Sequence, residues 1–414
     1  MTSIRLTRRA LATAAISAMA GCAAPRERAA TVAAVPKDGG PEMLLVGPDQ
    51  HYKSITAAGE RLAVKWDPFA KTPNHDPIHM IISPGPPGYY DQDVDSYSRK
   101  WPKNNHGGWP PYHGNLLGPA VIEGEPGKPA PELTCSGGGE GVIYLQQGAF
   151  ITSDYDTTFR RLNFDGFKRP DGQGNYSAIR IGTLGENVSR PGNMLFEDVR
   201  LTGCDDGILG GSPGQTVTLR RCEFRRNGGP IGRTHNIYIG PVDLLTVEDT
   251  LSTQCEIGHL LKSRAARTII RRTRLIDIDG TASACLDVPD GGVLEMEDVI
   301  CEKSPKSDAS WVIHYGGENQ DAAGVMFHPV SSISIRNLVM IAPARLTRHP
   351  SWPILGFANQ SGAGEAASGK GSRLIKAEAS NVKVYGLDAR QAGLPGVQVL
   401  SAPPQLDVTS PVRI

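Results

Sequence analysis

Four residues that can transfer protons or carry charge occur at corresponding positions of successive short segments. Tyr238 lies in HNIYIG, Lys262 in HLLKSR, Asp287 in ACLDVP and His314 in WVIHYG. Such a set suits an elimination next to a carboxylate: a base removes the adjacent proton, a cation neutralises the carboxylate, and an acid protonates the leaving oxygen. Lys262 would be the base or the neutralising cation, and Tyr238 or His314 would be the acid. We therefore predict that these four residues are catalytic.

Further polar residues lie on the same or neighbouring segments and are predicted to bind substrate: Arg180, Asn236, Asp206, Asp290 and Glu318. Hydrolysis of a glycosidic bond is the alternative chemistry, and it needs two carboxylates about 5 to 9.5 Å apart. Asp287 with Asp290, or Asp205 with Asp206, are the candidate pairs. The lysine at the centre of the set favours elimination.

A six-residue pattern that recurs along the chain indicates how these segments are positioned. Its second and third positions are polar, and the first, fourth and sixth are mostly apolar or small, which is typical of two strands joined at a polar corner. Most successive copies begin 23 to 28 residues apart. The copies are FRRLNF from Phe159, FEDVRL from Phe196, LRRCEF from Leu219, VEDTLS from Val247, IRRTRL from Ile270, MEDVIC from Met296, IRNLVM from Ile335 and ASNVKV from Ala379.

The charge at the second and third positions alternates from one copy to the next. The pairs are Arg160-Arg161, Glu197-Asp198, Arg220-Arg221, Glu248-Asp249, Arg271-Arg272, Glu297-Asp298 and Arg336-Asn337. If the copies stack at the ~4.8 Å spacing of parallel strands, each cationic pair lies between anionic pairs. A β-propeller or a sandwich does not explain this alternation, so it favours a solenoid of stacked coils.

The short segments that follow the hexamers can be stacked in the same way. An inward apolar column then contains Ile179, Ile208, Ile237, Leu261, Leu286 and Ile313. The residue after each of these points outward, which gives the column Arg180, Leu209, Tyr238, Lys262, Asp287 and His314. A slip of one residue would bury Lys262, and an unpaired buried lysine is costly. His259 is expected to point inward, as a histidine of the core.

Coils of this length, rich in Val, Ile, Leu and Gly, predict an all-β, single-domain, right-handed parallel β-helix over residues 41–414, with extruded loops. Three segments carry a resemblance to a known fold: GPDQHYKSITAAGERL, HMIISPGPPGYYDQDV, and TVTLRRCEFRRNGG followed by HNIYIG. They resemble, in that order, the short N-terminal cap helix, the first coil and a later coil of the pectin-lyase-like β-helix superfamily. The resemblance implies the fold more than one activity, because this solenoid serves lyases, hydrolases, epimerases and binding proteins.

One segment resembles a particular family within that fold. Lys262-Ser263, at the end of a strand, resembles the catalytic lysine segment of the alginate lyase and chondroitinase B family. That family has Arg-His-Gly on the next coil, where this chain has Leu286-Asp287-Val288. The resemblance therefore implies a role for the lysine but not the whole mechanism.

The N-terminus predicts export. Arg5, Arg8 and Arg9 precede the apolar run ALATAAISAMA, which suits a signal peptide and is too short to span a bilayer. Ala20-Gly21-Cys22 resembles a lipoprotein processing site. Residues 1–22 are therefore predicted to be a signal peptide with Cys22 lipidated, and residues 23–40 a flexible tether. The protein would be periplasmic or anchored to the outer membrane, with the lipid as its only membrane contact.

Composition limits the partners. The chain has 43 basic and 43 acidic residues, so no overall field attracts nucleic acid, and none is expected as a partner. Six cysteines follow Cys22 without metal-like spacing; they are core residues or, in an oxidising compartment, disulfides whose pairing the sequence does not define. No cofactor is predicted, although Ca²⁺ is left open.

The sequence therefore predicts an exported protein that acts on a polysaccharide. Cleavage of an acidic, uronate-containing polysaccharide by β-elimination is preferred. The alternatives are a glycoside hydrolase that uses the aspartate pairs, and a non-catalytic carbohydrate-binding or envelope-scaffold lipoprotein.

Overall fold

Parallel β-strands make up nearly all the regular structure of the chain in a computed structural model. The structure describes residues 41–55, 57–58, 77–91, 119–135, 148–152, 155–168, 177–181, 192–230, 232–307, 311–316, 327–342, 355–357, 374–387 and 396–404. The predicted signal peptide, Cys22 and the predicted tether lie outside these residues. From Gly39 onwards the chain forms one compact unit.

The described residues contain 24 strands. The first twelve are β1 (Glu42–Val46), β2 (Ile78–Ile82), β3 (Tyr90–Asp91), β4 (Ala120–Gly124), β5 (Glu132–Thr134), β6 (Gly148–Thr152), β7 (Thr157–Asp165), β8 (Ser177–Ile181), β9 (Met194–Thr202), β10 (Asp206–Gly210), β11 (Thr216–Arg220) and β12 (Glu223–Arg225). The others are β13 (Ile237–Ile239), β14 (Leu244–Glu248), β15 (Leu251–Thr253), β16 (His259–Ser263), β17 (Arg267–Ile276), β18 (Ala284–Val288), β19 (Val293–Glu302), β20 (Ile313–Tyr315), β21 (Ser331–Ile341), β22 (Leu355–Phe357), β23 (Leu374–Tyr385) and β24 (Val397–Val399).

The strands form two sheets that the chain enters alternately. The first sheet has 16 strands, and its main path runs β1-β2-β4-β7-β9-β11-β14-β17-β19-β21-β23-β24. The second has eight strands in the order β6-β8-β10-β13-β16-β18-β20-β22. From β6 to β23, each strand of the second sheet is followed in sequence by a strand or strand pair of the first. This all-β arrangement is compatible with the predicted β-solenoid.

The hexamers lie in the first sheet, in the predicted register. Arg160 pairs with Glu197 and Glu197 with Arg220. The pairing continues through Glu248, Arg271, Glu297 and Arg336. Glu123 of β4 pairs with Arg160, so the alternation begins one strand earlier than the sequence pattern indicated. The predicted stacking of opposite charges is thus confirmed.

The third position of each hexamer bends the chain, because its backbone is left-handed. It lies inside β7, β9, β17, β19, β21 and β23, and it separates β11 from β12 and β14 from β15. The φ angles lie between 45° and 56° at Arg161, Asp198, Arg221, Asp249, Arg272, Asp298, Asn337 and Asn381. Asp and Asn tolerate this conformation better than most residues. The arginines are held there by neighbouring carboxylates: Arg221 and Arg272 each make two hydrogen bonds, of 2.7 to 2.9 Å, to Asp198 and Asp249 respectively.

Little of the predicted cap helix falls within the described residues. Ile55, Ala57 and Ala58 have helical geometry, and the Ala58 N–H donates to the Ser54 carbonyl oxygen at 3.2 Å. Residues 59–76 lie outside the described part of the chain. Among the described residues, none belongs to a helix that is long and apolar enough to cross a membrane.

Candidate functional site

The four residues predicted to be catalytic lie side by side in the second sheet. Tyr238 of β13 pairs with Lys262 of β16, Lys262 with Asp287 of β18, and Asp287 with His314 of β20. The residues that precede them are fully buried: Ile237, Leu261, Leu286 and Ile313. These apolar positions fix the predicted register, while the catalytic roles stay predictions.

Asp287 is the centre of a buried cluster of charged and imidazole groups. Its Oδ2 lies 2.9 Å from Lys262 Nζ and 3.3 Å from His259 Nε2, and its Oδ1 lies 2.7 Å from His314 Nδ1. Burial favours the neutral form of the carboxyl group, but His259, His314 and Lys262 together hold the pKa of Asp287 well below its ordinary value. Asp287 is therefore ionised and orients the three groups around it.

His259 does not point into the core as expected. The two residues after it, Leu260 and Leu261, are both fully buried, so the in-out alternation is broken at the beginning of β16. His259 consequently lies on the same side as Lys262 and contacts Asp287. The expectation was wrong because it extended strict strand alternation to a residue at the strand end.

Tyr238 lies between two cations. Arg264 Nε donates a hydrogen bond to the Tyr238 hydroxyl oxygen at 3.0 Å. Lys262 Nζ and the Arg264 guanidinium carbon each lie 5.9 Å from the centre of the tyrosine ring. Arg264 also forms an ion pair with Asp290. Sequence reasoning missed Arg264, although its position two residues after Lys262, directly after the end of β16, was the available signal.

His235 is a second residue that the sequence analysis did not single out. Its ring stacks on the His259 ring with centroids 4.9 Å apart. It lies nearly perpendicular to the Tyr238 ring, with centroids 5.3 Å apart. His235 Nδ1 accepts the backbone N–H of His259 at 3.0 Å, so the proton of the neutral ring is on Nε2. Burial, assisted by the nearby His259 and Lys262, lowers the pKa of His235 well below its ordinary value. The available signal was that His235 and His259 occupy equivalent positions in HNIYIG and HLLKSR.

Gly258 allows this stacking. A Cβ atom at Gly258 would lie 1.7 Å from the carbonyl oxygen of Thr234. No other residue type fits there without moving one of the two backbones. The glycine therefore brings the backbone before His259 against the backbone before His235.

The far end of the column is aromatic. The Trp311 ring stacks on His314 with centroids 4.2 Å apart and an angle of 9°. His314 is nearly buried, and its Nε2 has no hydrogen-bond partner among the described residues. The ring is thus held by Trp311 on one face and by Asp287 at Nδ1.

Asp206 and Asn236, both predicted to bind substrate, are instead inside the protein. Asp206 is fully buried, and its Oδ1 accepts the backbone N–H of His235 at 2.7 Å. Burial, with a smaller effect from Asp205, raises the pKa of Asp206 well above its ordinary value. Asp205 is fully buried too. A polysaccharide cannot reach either carboxyl group, because the turn that opens β10 folds inward.

Asn236 is also fully buried. Its Oδ1 accepts hydrogen bonds from the backbone N–H and the side-chain amide of Asn227, each at 3.0 Å. Its Nδ2 donates to Ser252 Oγ at 3.0 Å and to the Thr253 carbonyl oxygen at 2.9 Å. The predicted substrate contact is wrong, because Asn236 lies in the bend before β13 and its amide satisfies backbone groups there.

The remaining predicted substrate residues differ in position. Arg180 of β8 is paired with Leu209, which is paired with Tyr238, so Arg180 lies two strands from Tyr238 in the same column. Burial lowers the pKa of Arg180, an effect that the charge of Asp206 opposes. Asp290 is nearly buried beside Arg264. Glu318 lies outside the described residues.

The part of the chain that the structure describes contains no cluster of side chains suited to hold a metal ion. No group of three or more His, Cys, Asp or Glu side chains there is placed to hold an ion. The prediction of no cofactor, with Ca²⁺ left open, therefore stays a prediction.

Comparison of the chain with protein-family models, with curated proteins and with solved structures gives no match.

Proposed function

We propose that the protein is a polysaccharide lyase that cleaves an acidic, uronate-containing polysaccharide by β-elimination at Tyr238, Lys262 and Arg264. The observation that carries the proposal is the position of the Tyr238 hydroxyl group. It accepts a hydrogen bond from Arg264, and it belongs to a partly buried ring whose centre lies 5.9 Å from Lys262 Nζ. A proton-transferring oxygen bonded to one cation, with a second cation near its ring, suits a substrate whose reacting carbon is next to a carboxylate.

Lys262 is assigned the neutralising role rather than that of the base. Its ammonium group is paired with the ionised Asp287, which favours the charged form of the lysine. A lysine held in this form attracts the substrate carboxylate and stabilises the charge that develops when the adjacent proton leaves. Asp287 does not react; it positions Lys262.

Tyr238 is assigned the proton transfer. In its deprotonated form the tyrosine oxygen takes the proton next to the uronate carboxylate, the carbon–carbon double bond forms, and the bond to the leaving oxygen breaks. The tyrosine O–H then returns that proton to the leaving oxygen. The Arg264 Nε–H stabilises the negative charge on the tyrosine oxygen. Tyr238 is preferred to His314 because Asp287 already engages the histidine Nδ1 and Trp311 covers one face of its ring.

Two observations weigh against the glycoside hydrolase. Asp205 and Asp206 are fully buried, and so neither can flank a glycosidic bond. Asp287 is held ionised by its three partners, whereas hydrolysis needs one carboxylic acid that is protonated near neutral pH. Among the described residues of the column, Tyr238 is the better proton donor.

We also propose the handedness of the solenoid and the location of the protein. The solenoid would be right-handed, of the pectin-lyase-like type, since crossovers between parallel strands are right-handed in about 98% of cases. The signal-like segment and Cys22 support export with a lipid anchor. A polysaccharide of the envelope or of the surroundings would then be the partner.

The test is the ultraviolet absorbance of an unsaturated uronate when the purified protein is mixed with a panel of uronate polymers. Tyr238→Phe should lower kcat by about 100-fold or more, with a smaller change in KM. Tyr385→Phe is the matched control, because Tyr385 is also partly buried but lies on β23, and it should keep full activity. New reducing ends without this absorbance would instead indicate hydrolysis. Retention of polymer without either product would indicate a binding protein.

A further inference from the structure

We propose that Cys285 and Cys301 are a cross-linking pair, which forms a disulfide when the chain folds in an oxidising environment. The proposal does not depend on polysaccharide cleavage. It concerns a covalent link beneath the candidate site.

The two thiols meet inside one coil. Cys285 lies on β18 and Cys301 on β19, and both are fully buried in the hydrophobic core. Both thiols are free in this structure, and the Cys301 thiol is near enough to Cys285 to help burial raise the pKa of Cys285. Cys285 Sγ also lies 3.3 Å from the carbonyl oxygen of Glu302, the residue after Cys301. Because β18 and β19 belong to different sheets, this contact crosses the interior of the coil.

The link would join the candidate site to the charged ladder. Cys285 is two residues before Asp287 on the same strand. Cys301 is four residues after Glu297, the ladder residue of β19. A bond between the sulfurs would therefore fix the strand that carries Asp287 against the opposite sheet, and it would close a short loop of the unfolded chain.

The chemistry is a thiol–disulfide exchange. One cysteine thiolate attacks an external disulfide, such as oxidised glutathione or a disulfide oxidoreductase, and the second thiolate then displaces that mixed disulfide. Two protons leave the cysteines, and two electrons pass to the external disulfide, which becomes two thiols. Burial raises the pKa of Cys285 well above its ordinary value, so its thiol is unreactive once folded. The disulfide should form during folding.

The experiment refolds the full chain with glutathione, once in an oxidising mixture and once fully reduced. Each sample is then denatured and alkylated with iodoacetamide without further reduction. No Lys or Arg occurs between Leu275 and Glu302, so a single tryptic peptide ending at Lys303 contains both cysteines. After oxidative refolding we expect that peptide to be two hydrogens lighter and to carry no alkyl group. After reductive refolding it should carry two.

Cys255 is the internal control, because it is also fully buried and should be alkylated in both samples. Cys285→Ser should leave Cys301 alkylated after either refolding, and should remove the Tm difference of several degrees expected between oxidised and reduced protein. Cys255→Ser should keep that difference. Alkylation of both Cys285 and Cys301 after oxidative refolding to the native state, or a disulfide from either one to another cysteine, would overturn the proposal.

Discussion

Lys262 Nζ lies 2.9 Å from Asp287 Oδ2, and the two residues, on adjacent parallel strands, are only 6% and 1% exposed. Removing two charges from water is costly, and their attraction offsets the cost only if further hydrogen bonds complete the arrangement. His314 Nδ1 makes such a bond with the carboxylate at 2.7 Å, and His259 Nε2 lies 3.3 Å from its other oxygen. The lysine is therefore part of the folded core as well as of the candidate site.

Replacing Lys262 alone should destabilise the protein. Lys262→Met leaves the carboxylate of Asp287 buried without its lysine, and we expect the free energy of unfolding to fall by about 3 to 5 kcal/mol. Urea unfolding followed by circular dichroism measures this change. The double variant Lys262→Met with Asp287→Leu should recover most of the loss, because it removes both charges. A Lys262→Met protein as stable as the parent would show that the pair is not buried as described.

Asp287 should make the stability of the fold sensitive to acid. Its pKa is depressed in the folded protein, so its stabilising contribution is complete above the unfolded pKa of about 3.9 and is lost as the pH falls through the lower, folded pKa. The parent should be more stable than Asp287→Asn at neutral pH. The difference between them should shrink below about pH 4. Urea unfolding across this range is the measurement, and a pH-independent difference would contradict the assignment.

Asp206 should show the opposite dependence. Burial raises its folded pKa, so the folded state retains a proton that the unfolded state has released. Stability is therefore lost as the pH rises from about 3.9 towards the folded pKa. Asp206→Asn keeps an oxygen for the His235 N–H and removes the group that ionises in the unfolded state. It should be more stable than the parent at pH 7 and about equal near pH 4, and a variant that is less stable at pH 7 would exclude a protonated Asp206.

The parallel architecture of the described residues could be predicted from the sequence because two independent patterns agreed. Apolar alternation placed Phe159 and Phe196 inward, and charge alternation placed Arg160 beside Glu197; the structure has both pairs in one register. Glu123 was missed because its strand does not contain the six-residue pattern. The left-handed corner at each third position was also beyond the sequence argument, because arginine is not a residue type that signals positive φ.

The candidate site could be predicted only where strands are regular. Tyr238 and Lys262 lie within strands, and the period of two placed them in the correct register, although Lys262 is nearly buried and not exposed on the outward face. Asn236 and His259 lie in a bend and at a strand end, where the chain leaves that period, so both were assigned to the wrong side. Strand alternation does not predict where a side chain points when its residue lies in a bend or at a strand end.

The charged ladder should define register more than it adds stability. Arg272→Asp would place a third carboxylate between Asp249 and Asp298, whereas Arg272→Asn has the same shape without the charge. We expect the free energy of unfolding of Arg272→Asp to be about 1 kcal/mol lower than that of Arg272→Asn. The difference is small because the sites are partly exposed and each contact contributes little. The difference should nearly vanish at about 1 M salt, where the screening length is about 3 Å. Urea unfolding at low and high salt measures it, and a difference that salt does not change would argue against an electrostatic origin.

Ile278 is strained in a way that a substitution should relieve. Its φ is 50°, a conformation that a β-branched residue rarely adopts, and its side chain is 39% exposed. The left-handed conformation costs a residue with a Cβ about 1 to 2 kcal/mol, and asparagine tolerates it better. Ile278→Asn should therefore raise the free energy of unfolding by up to about 1 kcal/mol, which thermal and urea unfolding can measure. Val330→Asn is the control, since Val330 is 49% exposed and is not among the described residues with positive φ. Because no backbone strain is relieved there, Val330→Asn should be neutral or destabilising, and equal effects of the two substitutions would refute the explanation.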